Sequence, residues 1–199
     1  MQGLLGQDSE GIFGKVYLVS NENNQLFAKK IYDPDIPKKH KSLKNIRSLL
    51  DIEALKLFSA ISNVVGGIKV IEIMKTEITS DTPNSKFGSL NVYMKYIKGT
   101  DLESLLHDKN HKMGTAELND IRDRYNLAVA RIANWLRENG QNVDEKAYPY
   151  SMKYGDISNS GLKMLYADVQ LEGFSGKIML KPDNVLVGPN LELYIIDPY

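Results

Sequence analysis

Leu180-Lys181-Pro182-Asp183-Asn184-Val185-Leu186-Val187, then Gly188-Pro189-Asn190, then Leu191-Glu192-Leu193-Tyr194-Ile195-Ile196-Asp197 is the most informative run in this chain. Two apolar, β-prone segments flank a Gly-Pro-Asn turn. The run is predicted to be a hairpin that ends in Asp197.

Upstream, residues 141–176 carry the weakest pattern in the chain and close in a run of strand-like pieces. Before them a long helix is predicted from about Thr115 to Asn139. Its stripe is Leu118, Ile121, Tyr125, Val129, Ile132 and Leu136, with Trp135 beside it and Gly140 placed to stop it. Thr100-Asp101-Leu102-Glu103 has capping-box form and should open a short helix. Val70–Ile78 and Leu90–Ile97 read as strands separated by the turn-rich stretch Thr79–Gly88. Val16–Val19 and Leu26–Ile31 read as a hairpin around Ser20–Gln25, and Asp33-Pro34-Asp35-Ile36-Pro37 breaks the pattern. A helix is expected from about Ser42 to Ile61, with a stripe of Leu43, Ile46, Leu50, Leu57 and Ile61. Glu53 falls in the gap of that stripe and should face inward. A buried carboxylate needs a cationic or hydrogen-bonding partner, because unpaired burial costs several kcal/mol or neutralises it.

The 199 residues suit one domain or two closely packed lobes. Twenty-five basic residues balance twenty-five acidic ones, so net charge gives no reason to expect nucleic acid or an anionic membrane as partner. No apolar run approaches the roughly 20 residues of a membrane helix, and the N-terminus lacks a secretory signal pattern. Cysteine is absent, which excludes disulfides, thiolate metal sites and cysteine nucleophiles. Such a chain fits a reducing compartment, and equally a protein that must unfold for export. His40, His107 and His111 lie in polar segments and read as surface residues.

The order of parts resembles a protein kinase: a small sheet with one helix, a crossover, then a helical lobe. The closing run is similar to the catalytic-loop string Asp-Leu-Lys-Pro-x-Asn-x-Leu, and Ile195-Ile196-Asp197 to the strand and aspartate of Asp-Phe-Gly. Ser9-Glu10-Gly11-Ile12-Phe13-Gly14-Lys15-Val16 resembles the glycine-rich loop, with Ser9 at the first glycine. Ala28-Lys29-Lys30 resembles the Ala-x-Lys of the third strand, and Val92–Leu102 the hinge. The resemblance implies an α+β, two-lobed fold. Residues 1–98 would form an N-terminal lobe of antiparallel sheet plus one helix, and 99–199 a minimal, truncated C-terminal lobe.

It also implies ATP and Mg²⁺ as cofactors. Asn184 and Asp197 would hold the metal, Lys30 paired with Glu53 would grip the phosphates, and Lys181 would assist transfer. Ser9, Gly11, Gly14, Val16, Ala28, Met94 and Tyr96 would line the nucleotide site. Glycines there would let backbone N–H groups approach phosphate. Adjacent lysines in a strand point to opposite faces, so Lys29 is expected to be solvated and Lys30 directed at the cleft.

The chain departs from the family at three points. Met179 stands where the catalytic aspartate belongs, and Lys177 where a histidine does. Pro198 and Tyr199 follow Asp197 in place of Phe and Gly. The sequence ends there, so no activation loop and no docking helices are expected. Tyr154-Gly155-Asp156-Ile157 resembles the His-Gly-Asp string of small-molecule phosphotransferases, which makes Asp156 a candidate replacement base. In size and architecture the chain resembles short bacterial effector kinases delivered into host cells. That implies a protein substrate, an activating host protein, and a cytoplasmic or host-delivered location. Three readings follow: a minimal Ser/Thr protein kinase, a nucleotide-binding pseudokinase that acts as an interaction module, and a small-molecule or toxin-like kinase.

Overall fold

The computed structural model describes residues 2–4, 10–11, 14–32, 41–79, 89–108, 113–151 and 153–198, with the backbone alone at 2–4, 10–11, 14–15, 32, 41–50, 78–79 and 89–90. The chain is α+β and falls into two units, residues 1–50 with 71–97 and residues 51–70 with 98–199. The change at residue 97 lies one position from the expected lobe boundary. The segment 51–70 was expected with the first lobe and clusters with the second unit.

The elements of the first half are β1 (Gln2–Leu4), β2 (Glu10–Gly11), β3 (Gly14–Ser20), β4 (Leu26–Tyr32), α1 (Lys41–Val65), β5 (Lys69–Val70), β6 (Ile73–Thr79) and β7 (Ser89–Lys95). The first unit is an antiparallel sheet in the order β1-β3-β4-β7-β6, with β2 paired to β3. The β3–β4 hairpin forms as its sequence suggests. Asn21 Oδ1 accepts the Asn23 and Gln25 N–H groups at 3.0 and 2.9 Å, and Asn24 takes the left-handed conformation that asparagine tolerates. The breaker at Asp33–Pro37 and most of the turn segment Thr79–Gly88 lie outside the described residues.

The elements that follow are β8 (Thr100–Asp101), α2 (Leu102–His107), α3 (Thr115–Glu138), β9 (Asn142–Ala147), β10 (Tyr150–Ser151), β11 (Gly155–Asp156), β12 (Lys163–Leu171), β13 (Phe174–Leu180), β14 (Val185–Val187) and β15 (Leu193–Ile195). In the second unit β13-β12-β9 form one sheet, β5-β15-β14-β8 another, and β10-β11 a short pair. Helix α3 packs on β9 and β12. It buries Ile121, Tyr125, Ala128, Val129, Ile132, Ala133 and Leu136, while the predicted stripe member Leu118 is only half-buried. Tyr125 satisfies its hydroxyl by donating to the Lys163 carbonyl at 2.9 Å. Gly140, with φ +76°, ends the helix where an L-residue would be strained.

Three local readings are corrected. The predicted strand Val70–Ile78 divides: Lys69-Val70 pair in parallel with Tyr194-Ile195, whereas Ile73–Thr79 pair antiparallel with β7. One apolar run serves two sheets, and the partners are remote in sequence. Helix α2 is capped by Asp101, whose Oδ1 accepts the Ser104 N–H at 2.7 Å, one residue later than the Thr100 box predicts. Thr100 is instead a strand residue paired with Val187. His107 is half-buried and stacks on the Tyr154 ring, centroids 4.8 Å apart; His40 and His111 lie outside the described residues. Among the described residues no helix is long and apolar enough to cross a membrane.

Candidate functional site

Strand β13 delivers the chain to Lys181. Pro182 then opens a single helical turn through Asn184, because its ring presets the helical φ and its missing N–H costs nothing there. The Asn184 N–H closes that turn on the Lys181 carbonyl at 3.0 Å. Strand β14 leaves along β15 in the register Val185 with Ile195, Leu186 with Tyr194 and Val187 with Leu193. The Ile196 N–H extends the ladder by donating to the Asn184 carbonyl at 2.9 Å, and the Met179 N–H donates to the Pro198 carbonyl at 2.8 Å. The two strand ends are thereby tied together at the backbone. Met179, Lys181, Asn184 and Asp197 gather at one end of the hairpin. Asn184 is buried, and Asp197, Lys181 and Met179 are half-buried.

Lys181 Nζ donates to Asp183 Oδ2 at 2.8 Å. Burial pushes the Asp183 carboxyl up, against the opposing pull of Lys181. Helix α2 packs on this turn and on β14, and it brings Glu103, 4% exposed, into the same neighbourhood. Burial raises Glu103, a hydrogen bond with Ser151 lowers it, and Asp183 and Asp101 raise it further. Tyr148, buried beside these acids, is held well above the usual phenol range, first by burial and then by Asp183. Asp183 Oδ1 and Glu103 Oε1 are buried with no hydrogen-bond partner among the described residues. Neither acid is marked by the sequence pattern: Asp183 sits inside a string whose motif is carried by its neighbours, and Glu103 stands at a helix-capping position.

In the first unit the sheet register gathers the predicted nucleotide-site positions on one face. Val16 lies opposite Lys30 and Lys30 opposite Val92, while Leu18 lies opposite Ala28 and Ala28 opposite Met94. Directly paired residues share a face, so Val16, Ala28, Lys30 and Met94 form a continuous patch. Ala28, Val92 and Met94 are buried, and Val16 and Lys30 half-buried. Lys29 is on the opposite face, with its ammonium 5.3 Å from the centroid of the Tyr93 ring. Gly11 of β2 pairs with Gly14 of β3; Ser9 lies outside the described residues. Tyr96, just past β7, is half-buried.

Two candidates are placed differently from expectation. In α1 the side chains of Leu43, Ile46 and Leu50 lie outside the described set, and the buried positions from residue 51 onward are Asp51, Ile52, Ala54, Leu55, Phe58, Ile61 and Ser62. Leu57 is only half-buried, and the Glu53 side chain, 45% exposed, pairs with Lys56 at 2.7 Å. The buried carboxylate of this helix is Asp51. Ile52, Leu55 and Phe58 form a second apolar row at helical spacing, and it is buried together with Ile61 of the expected stripe. Asp156 is exposed on β11 and accepts the Ser158 N–H at 3.0 Å, which holds its carboxyl below the usual range. Lys177 is likewise exposed, near Asp168 at 3.9 Å.

The described site is a hairpin terminus with an amide, a carboxylate and a lysine, in an α+β protein. Compared with known proteins, the chain matches no family model and no curated sequence.

Proposed function

We propose that this chain has a two-lobed, protein kinase-like fold and is an ATP-dependent phosphotransferase, a minimal Ser/Thr protein kinase that passes the γ-phosphoryl group to a protein hydroxyl. The observation that carries the reading is the backbone tie between Asn184 and Ile196. It aligns Asn184 with Ile196, the residue before Asp197, at the end of a hairpin that also carries Lys181. The register of the first unit adds support, because Val16, Ala28, Lys30 and Met94 share one face.

The donor set fits Mg²⁺. An amide oxygen and a carboxylate are hard ligands, and Mg²⁺ takes few protein groups, completing its octahedron with water and phosphate. Among the described residues no group of three or more His, Cys, Asp or Glu stands together as a full protein cage. When bound, the ion neutralises charge on the phosphates. Asn184 and Asp197 would hold it. Lys181 would exchange its contact with Asp183 for the transferred phosphoryl group, and Lys30 would hold the phosphates of ATP. Phosphoryl transfer through a loose transition state depends chiefly on positioning and charge, so Met179 in place of a base slows such a reaction without forbidding it.

Met179 also favours a second reading, a pseudokinase that binds nucleotide and acts as an interaction module, since a thioether cannot accept a proton. Radiolabelled ATP incubated with the protein, a general substrate and a cell lysate separates the two. The kinase reading expects transfer that depends on both Lys30 and Asp197. Stabilisation by Mg-ATP without any transfer selects the second reading, and absence of both effects removes the two together.

A further inference from the structure

We propose that the sheet face of the first unit opposite Lys30 docks a segment of a partner protein that carries an apolar anchor flanked by carboxylates. A groove of about 490 Å³ lies on that face. Val19, Phe27 and Met74 supply its apolar walls and the Tyr93 ring is its centre. Strands β3, β4, β7 and β6 each contribute, so the groove crosses three strand spacings, about 14 Å at roughly 4.8 Å each. A groove that long and half open suits a length of polypeptide better than a small molecule, which a pocket encloses on most sides.

Charge selects the occupant. Lys29 and Lys75 stand over the Tyr93 ring at 5.3 and 5.8 Å. Lys95, paired with Phe27 in register, belongs to the same face and is exposed. Against the two lining lysines, Lys29 and Lys75, the groove has one carboxylate, Glu77, engaged by Lys75, by the Tyr93 hydroxyl at 2.8 Å and by the charge of Lys29. Lys29 makes no hydrogen bond or ion pair to a carboxylate among the described residues; its close partner is the ring. Because the whole chain is neutral, this excess is local. Positive patches steer and select negatively charged partners, and an aromatic flanked by cations is a favoured anchor point. Met74, 44% exposed, leaves part of this apolar lining open to solvent. The inference concerns the first unit alone and does not depend on phosphotransfer.

The test titrates the ¹⁵N-labelled full chain with an acetylated Asp-Glu-Leu-Phe-Asp-Glu amide and with its basic counterpart, Lys-Lys-Leu-Phe-Lys-Lys. The acidic peptide should give saturable shifts confined to the amides around Val19, Phe27, Lys29 and Tyr93. The basic one should give none. Lys29→Glu should weaken binding about tenfold or more, and Met74→Asp should weaken it independently; both variants sit at accessible positions and should keep the wild-type spectrum elsewhere. Mg-ATP stabilisation should be the same in Lys29→Glu as in the wild type. Equal shifts with both peptides, shifts centred elsewhere, or no saturable shift would overturn the proposal. So would self-association that Lys29→Glu abolishes, which gives the face to a second copy, or binding of phenyl phosphate alone, which makes it a small-anion site.

Discussion

The Ile196 N–H donates to the Asn184 carbonyl at 2.9 Å, so a main-chain bond aligns Asn184 with the residue that precedes Asp197. Because that bond uses main-chain atoms only, substituting either side chain should leave it standing while removing a proposed metal ligand. Asp197→Asn is expected to fold normally and to lose the stabilisation that saturating Mg-ATP gives the wild type. That stabilisation is about 2.7 kcal/mol at a hundredfold excess over Kd. Thermal denaturation with and without Mg-ATP checks this. An unchanged shift in the variant would remove Asp197 from the nucleotide site.

Lys29 and Lys30 are neighbours on opposite faces of β4, and only Lys30 shares a face with Val16, Ala28 and Met94. Lys30→Met is expected to abolish phosphoryl transfer, whereas Lys29→Met should retain it within about twofold. Surface changes away from a site usually move little. Parallel transfer assays on the two variants decide. Equal losses would dissolve the assignment of faces.

Glu103 is buried, and burial is the main reason its carboxyl is raised above the unfolded value of 4.5. A raised acid contributes stability below its unfolded pKa and loses that contribution as pH climbs through the folded value. Glu103→Gln keeps the shape and a hydrogen-bonding group for Ser151 while removing the charge. Its melting temperature should match the wild type near pH 4 and exceed it increasingly toward neutrality, by an amount equivalent to about 1–3 kcal/mol. A constant difference across that range would show that burial of the charge is not what sets it.

The elements that were legible are those decided by near neighbours. The β3–β4 hairpin, α3 with its Gly140 stop, and the β14–β15 hairpin all have turn or periodic signals within a few residues. The division of Val70–Ile78 was not legible, because Lys69-Val70 find their partner at Tyr194-Ile195 across more than half the chain. The phase of α1 was ambiguous for another reason. Leu57 competes with Ile52, Leu55 and Phe58 for the buried side, with Ile61 buried as well, and only tertiary packing chooses, which leaves Glu53 at the edge and Asp51 inside. The site divides the same way. Asn184, Lys181 and Asp197 stand in one local string, whereas the burial of Glu103 depends on α2 packing over the turn and on Ser151 and Tyr148 arriving from a later segment.

Asp156 is exposed, and its carboxylate is occupied in capping Ser158. Asp156→Ala should leave the transfer rate within about twofold of wild type and lower the melting temperature only slightly, as loss of one exposed hydrogen bond does. Transfer rate and thermal stability measured on one preparation check both parts. A folded variant with transfer abolished would make Asp156 the proton acceptor and favour the small-molecule phosphotransferase reading.

Gly99 precedes β8 where that strand meets β14. A Cβ on it would stand 2.3 Å from the Val187 carbonyl oxygen and 3.1 Å from Leu186 Cγ. The first obstacle is backbone and cannot rotate away, so Gly99→Ala must push β8 off β14. Overpacking of this kind costs about 1–3 kcal/mol, and in a chain of this size it should lower the melting temperature by about 2–4 °C per kcal/mol. The consequence reaches the candidate site, because β14 follows directly on Asn184 and α2, which packs over the turn, begins just after β8. Gly99→Ala is therefore expected to weaken Mg-ATP binding as well as stability, while Gly173→Ala, at a hairpin turn where an added Cβ meets nothing within 4 Å, should lower stability through its strained φ of +82° and leave the Mg-ATP shift intact. Thermal denaturation of both variants with and without Mg-ATP tests the contrast, and equal loss of the shift in the two would show that general destabilisation, not the approach of β8 to β14, governs the site.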